Sequence, residues 1–185
     1  MSESPPKPVI LDASTLLNLY AGGRLRDIAE TLPEQFVVAG YVARREALYI
    51  RRKGPDRDAE QKEPVDIAPF TSAGLIHLVE MSSEEQETFV DLAAELDDGE
   101  AITASLAVHR GYVVATDDLK ALKVISATTK VDTVSTLSLV KRWSESANIS
   151  REQVKVVLQQ MWSGASYRPG TRDPLYAWWL KMISV

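Results

Sequence analysis

Residues 96–118, LDDGEAITASLAVHRGYVVATDD, read as a turn, a helix and a strand in one unbroken run. Asp97-Asp98-Gly99 breaks whatever helix precedes it, and Glu100 starts the next. Ile102, Ala104, Leu106, Ala107 and Val108 supply its buried side, and Gly111 ends it. Residues 112–115, YVVA, form a short apolar run with no polar alternation, the pattern of a strand buried on both faces. Thr116-Asp117-Asp118 sits just past that strand, and a further helix runs from Leu119 to about Ala127.

The same alternation extends outward. Val9-Ile10-Leu11 is a strand ending at Asp12, and Ser14 or Thr15 can cap the helix that follows, with Leu16, Leu17, Leu19 and Tyr20 on its apolar face. A second helix carries Leu25, Ile28, Ala29 and Leu32. Residues 36–39 form a second strand. Helical spacing is predicted from Tyr41 through about Arg52, and residues 54–65, GPDRDAEQKEPV, read as a loop. Residues 75–81 form another strand. Ser82 or Ser83 followed by Glu85 or Gln86 is a capping signal for the next helix. Residues 131–134 make a last short strand before a helix from Leu137. Strands alternating with helices predict a three-layer α/β/α sandwich with a mainly parallel central sheet. Ligands of such folds gather beyond the carboxyl ends of the strands, where Asp12 and the Asp117–Asp118 pair lie. The expected division is a disordered tail over 1–7, an α/β domain over 8–143 and a helical extension over 144–185. The extension ends in LYAWWLKMISV, which reads either as a helix packed on the core or as a partner surface, since Trp178 and Trp179 are adjacent.

A chain of 185 residues suits one domain. No apolar run approaches the roughly 18 residues of a membrane span, and the start, MSESPPKP, lacks the regions of a signal peptide, so a cytoplasmic protein is expected. The absence of cysteine excludes disulfides, thiolate zinc sites and cysteine nucleophiles. The two histidines, His77 in an apolar run and His109 at a helix end, have ordinary structural roles. A metal would therefore be a hard cation held by carboxylates. The net charge of −5 counts against a large nucleic-acid footprint, but Arg44, Arg45, Arg51, Arg52, Lys53 and Arg57 form a local basic cluster. It is either a solvated face or a backbone-positioning surface.

Each acidic candidate has an ordinary reading. Asp12 can cap a helix, Glu46 can be a solvated charge, Glu100 can stabilise a helix start, and Asp117 and Asp118 can be turn and cap residues. In a doubly wound sheet, however, Asp12, Glu100 and the Asp117–Asp118 pair are expected to converge at one cleft, and crowded carboxylates are tolerable chiefly when a cation neutralises them. Mg²⁺ or Mn²⁺ suits such oxygen ligands and promotes attack of water on a phosphodiester.

At these residues the sequence resembles a known family. VILDASTLLNLY looks like the opening of a PIN domain, YVARREAL like its second motif, and LDDGEAITASLAVHRGYVVATDD like its third and fourth motifs, the most specific of the set. The resemblance implies a metal-dependent endoribonuclease that uses Mg²⁺ or Mn²⁺ and leaves 5′-phosphate and 3′-hydroxyl ends. Many members are VapC-type toxins of toxin–antitoxin modules. Carried over, Asp12, Glu46, Glu100 and Asp118 form the catalytic set. Asp12, Glu100, Asp117 and Asp118 are the metal candidates, with Asp118 favoured by the T-x-D form of the motif and Asp117 the other choice. Glu100 stands where many members have aspartate. Thr116, Asp97 and Ser14 are supporting residues, and Arg44, Arg45, Arg51 and Arg52 are candidates for positioning RNA. Implied partners are RNA, a cognate antitoxin and a second copy of the chain. The alternative is a catalytically silent PIN-like scaffold or interaction module. A haloacid-dehalogenase-type phosphatase needs a second aspartate where Ser14 stands, and neither GxxxxGK[ST] nor GxGxxG occurs.

Overall fold

Strand β1 (Val9–Leu11) lies at the centre of a five-stranded sheet and is fully buried. The computed structural model describes residues 5–53 and 60–184, with the backbone alone described at 52, 53 and 60. In chain order the elements after β1 are α1 (Ala13–Ala21), α2 (Leu25–Thr31), β2 (Phe36–Ala39), α3 (Gly40–Arg45), β3 (Tyr49–Lys53), β4 (Glu60–Pro64), α4 (Ala68–Ser72) and β5 (Ile76–Val79). A single 3-10 turn (Ser83–Glu85) then leads into α5 (Gln86–Ala93), α6 (Asp98–Arg110), β6 (Val113–Ala115), α7 (Leu119–Thr128), β7 (Thr133–Val134), α8 (Thr136–Ser146), α9 (Arg151–Ala165) and α10 (Tyr176–Ile183).

The sheet order is β5-β2-β1-β6-β7, and every pairing is parallel. The chain builds outward from β1 to β5 on one side, then returns to place β6 and β7 on the other. The strand order therefore reverses between β1 and β6, where Leu11 pairs with Ala115. That switch point is the place at which ligands of open α/β sheets bind. Helices cover the sheet, giving the α/β/α architecture expected from the alternation. Helix α6 packs on β1, β2 and β6. It can do so closely because its buried positions are mostly small: Gly99, Ala101, Thr103, Ala104, Ser105 and Ala107. Ile10, Leu11, Leu16 and Leu106 are fully buried, and each contributes about 1.5–3 kcal/mol relative to exposure.

Two expectations are corrected. The helix expected through Arg52 stops at Arg45. Tyr49–Lys53 instead pairs antiparallel with Glu60–Pro64, the latter inside the stretch read as a loop. The reason is side-chain alternation: Ile50 is buried while Tyr49 and Arg51 face outward, and β3 packs against α9. The short period was masked by the arginines. Residues 54–59, including Arg57, lie outside the described residues. The second concerns α1, for which the sequence offered Asp12 as well as Ser14 and Thr15 as caps. Its cap is Asp12, and Ser14 and Thr15 lie inside the helix.

Helices α9 and α10 join the same core: Val154, Val157, Leu158, Met161 and Trp179 are buried in it. Trp179 stacks on Tyr176 with ring centroids 5.7 Å apart, while Trp178 packs half-buried. Residues 1–4 of the expected tail lie outside the described residues; Lys7 pairs with Asp132 at 2.8 Å.

Candidate functional site

The carboxyl ends of β1 and β6 bring Asp12 beside Thr116, Asp117 and Asp118. Asp12 is only 5% exposed. Its backbone N–H donates to the Ala115 carbonyl at 3.1 Å, and the Thr15 hydroxyl donates to the same oxygen at 3.1 Å, so α1 is tied to the end of β6. The Asp12 carboxylate accepts the Thr15 N–H at 2.6 Å and the Ser14 hydroxyl at 3.0 Å. Burial pushes the Asp12 carboxyl above its usual range, and contacts with Thr116, Thr15 and Ser14 oppose that rise.

The two neighbouring aspartates differ. Asp118 is exposed and caps α7, its Oδ1 accepting the N–H groups of Lys120 at 2.7 Å and Ala121 at 2.8 Å. Its own N–H donates to the Thr116 hydroxyl at 3.2 Å. Asp117 turns inward. It accepts the Thr136 N–H at 3.0 Å, the Thr136 hydroxyl, and the Asn18 amide at 3.4 Å. Burial, then the charges of Asp12 and Asp173, push its carboxyl up to about 6 against the pull of Thr136.

Glu46 and Glu100 meet at the start of α6. Asp97 caps that helix, accepting the Glu100 N–H at 2.9 Å, and the Glu100 carboxylate reaches back to the Asp97 N–H at 3.3 Å. Glu46, the residue closing α3, lies against the Gly99 backbone, whose N–H pulls its carboxyl down. The first N–H groups of a helix lack intrahelical partners and carry its positive end, so they stabilise this gathering of anions. Burial raises the Glu100 carboxyl, and Asp97, Asp118 and Asp12 raise it further. Glu46 is raised by burial and by Asp97, Asp98 and Glu100. Asp12, Glu46, Glu100 and Asp118 therefore lie in one connected electrostatic field.

Gly99 makes the approach of Glu46 possible. A Cβ there would lie 1.9 Å from Glu46 Oε2 and 2.4 Å from Oε1. Since only the flexible end of Glu46 must move, Gly99→Ala is expected to leave stability unchanged or raise it by up to about 1 kcal/mol. It is expected to displace the carboxylate and lower any activity of the site by about tenfold or more. Thermal unfolding and cleavage rates on the same preparation check this; unchanged cleavage would separate Glu46 from the chemistry.

The basic candidates do not converge as a group. Arg44 is held by Glu80 in two hydrogen bonds, at 2.8 and 3.0 Å. Arg45 is exposed on the last turn of α3, close to Tyr41. Arg51 and Arg52 belong to β3 rather than to a helix, and the side chain of Arg52 lies outside the described residues.

Sequence reasoning missed Asn18, Thr136, Gly99 and Tyr167. Asn18 had a readable signal, a polar residue inside the apolar run LLNLY; it is 4% exposed and also donates to the Thr136 hydroxyl at 3.4 Å. Thr136 follows a short strand end. Tyr167 had no local signal.

The donors are all hard oxygens, which suits Mg²⁺ or Mn²⁺. Among the described residues no three His, Asp or Glu side chains stand close enough to enclose an ion by themselves. Asp12, Glu100, Asp117 and Asp118 each spend an oxygen on a backbone N–H. Mg²⁺ is nevertheless ordinarily held by one or two carboxylates, waters and substrate phosphates rather than by a protein cage, so the donor set fits it. Several surface cavities, one of about 750 Å³ lined in part by Lys7, Tyr112 and Asp132, lie away from the acidic residues. Among the described residues no helix is long and apolar enough to cross a membrane. Residues 8–171 match a sequence family described as PIN domain. No curated protein matches the chain.

Proposed function

The chain belongs to the PIN-domain family, a nuclease-type fold, and we propose that it is a metal-dependent endoribonuclease hydrolysing RNA phosphodiester bonds with Mg²⁺ or Mn²⁺. The observation that carries this reading is the placement of Asp12 and Asp118 at the strand ends that flank the switch point, with Glu100 in the first turn of α6 within reach of the charge of both. One or two of Asp12, Glu100 and Asp118 would hold the ion, with waters and the substrate phosphate completing its shell. Asp117 is committed to Thr136 and Asn18 and orients the segment behind them. When bound, the ion supplies positive charge at the developing oxyanion and makes water easier to deprotonate.

The protein's own groups do the rest. Glu46, held over Gly99 with its carboxyl raised above the ordinary range, accepts the proton of the attacking water at its Oε atoms. Asp12 is fixed by Thr15 and Ser14, so it enters the reaction already oriented. Arg45 contacts the RNA backbone; Arg44, engaged by Glu80, contributes less. A toxin role with a cognate antitoxin, a cytoplasmic location and a homodimeric state rest on the family resemblance.

The test is a mixed RNA pool incubated with the full chain. Cutting is expected in Mg²⁺ or Mn²⁺, with 5′-phosphate and 3′-hydroxyl ends. EDTA should stop it and excess metal restore it. Cutting that persists in EDTA sinks the metal-dependent reading, and an intact pool in both metals favours a scaffold.

A further inference from the structure

We propose that the connection between α9 and α10 is a built part of the acidic site, with the buried hydroxyl of Tyr167 as the group that positions Asp117. Helix α9 ends at Ser166, which adopts a left-handed conformation with φ 57°. The Tyr167 N–H then closes back onto the Met161 carbonyl at 3.2 Å, a helix-ending turn that directs the next side chain inward. Tyr167 is 7% exposed. Its hydroxyl lies within reach of the Asp117 carboxylate and the Leu137 backbone, but no contact of good hydrogen-bond geometry satisfies it.

A buried hydroxyl without a partner is costly and rare, and the anionic acceptor within its reach is the Asp117 carboxylate. The Asp117 carboxylate is already gripped from the opposite side by Thr136 and Asn18. A small rotation lets Tyr167 donate to it and complete the grip. Asp173, from the same connection, caps the approach to α10 by accepting the Leu175 N–H at 2.7 Å, and its charge acts on both Asp117 and Tyr167. Two side chains of one connection thus address one site residue. Asp117 lies between Thr116 and Asp118, so fixing it fixes the backbone from which both neighbours project. Tyr167 acts through Asp117 and is a positioning residue. The inference rests on the nuclease reading for the importance of that geometry.

The test uses the full chain and Mn²⁺ without RNA. Free Mn²⁺ is measured by electron paramagnetic resonance during titration, and the Thr136 amide, which donates to Asp117, is followed by NMR in Mg²⁺-saturated protein. Tyr167→Phe keeps the ring and loses the hydroxyl. It is expected to weaken Mn²⁺ binding by about 10- to 100-fold and to shift the Thr136 amide, without lowering the unfolding temperature of the metal-free protein. Wild-type affinity in Tyr167→Phe, or an unmoved Thr136 amide, overturns the proposal. Should the variant not fold, the wild-type Tyr167 Cζ resonance decides: it is expected to move on saturation with Mg²⁺, and indifference overturns the proposal. A wild-type chain that binds no Mn²⁺ overturns the metal-dependent reading and this inference with it. That failure is distinct from wild-type binding that Tyr167→Phe leaves unaltered.

Discussion

An Asp12→Asn chain is expected to cut RNA at least about a hundredfold more slowly than wild type, the loss associated with removing one preorganised charge-stabilising group, while unfolding at the same temperature or above it. Asparagine is nearly isosteric with aspartate and caps helices equally well, so the Thr15 N–H keeps its acceptor. The charge itself is a burden on the fold, because burial raises the Asp12 carboxyl. A carboxyl whose folded-state pKa lies above its unfolded value of 3.8 opposes folding once pH exceeds that value. Replacing it with a neutral amide relieves that opposition at neutral pH and does nothing at more acidic pH. Single-turnover cleavage in saturating Mn²⁺ and thermal unfolding without metal separate the two effects. Cleavage at the wild-type rate would remove Asp12 from the site, and a fall of several degrees in unfolding temperature would show that asparagine does not restore the cap.

Glu85→Gln is expected to destabilise the fold by about 3 kcal/mol at neutral pH. Glu85 is 2% exposed and accepts Arg110 Nε at 2.7 Å and Nη2 at 2.9 Å, together with the Ser82 N–H at 2.6 Å. The Arg110 guanidinium, first among these, holds its carboxyl down to about 2 from an ordinary 4.5. That difference corresponds to about 3 kcal/mol at 1.36 kcal/mol per pKa unit. The folded pKa is depressed, so the stabilisation is fully present above about pH 4.5 and is lost as pH falls toward 2. Urea unfolding of wild type and Glu85→Gln across this range should show the stability gap close with acid. A gap that does not change with pH would mean that Glu85 contributes through packing rather than charge. The ion pair joins the turn before α5 to the end of α6, the helix whose opposite end carries Glu100.

How much of this was legible in the sequence depends on the range over which each feature is encoded. The run from Asp97 to Asp118 was readable because its signals are local. The Asp97-Asp98-Gly99 break and Gly111 bound the helix, which starts at Asp98, two residues before the expected Glu100; small apolar residues fill the buried face, and a short apolar strand follows. The β3–β4 hairpin was not readable, because Tyr49-Ile50-Arg51 fits either period until α9 is present to bury Ile50. The cap of α1 stayed open between three residues for a similar reason. Asp12, Ser14 and Thr15 are all good capping residues, and the choice was made by the hydrogen bond from Asp12 N–H to the end of β6.

The sequence by itself determined the parallel α/β/α architecture, the strand-end positions of Asp12, Asp117 and Asp118, and the pairing of Glu100 with a helix start. Each follows from residues a few positions apart, through chain stiffness, helix capping and burial period. Only the tertiary structure decided the order β5-β2-β1-β6-β7, which puts those strand ends side by side. It also turned Asp117 inward and Asp118 outward, seated Glu46 on Gly99, and brought Tyr167 to Asp117. These depend on contacts between segments far apart in the chain, where packing and desolvation act on groups whose local sequence is silent about their partners.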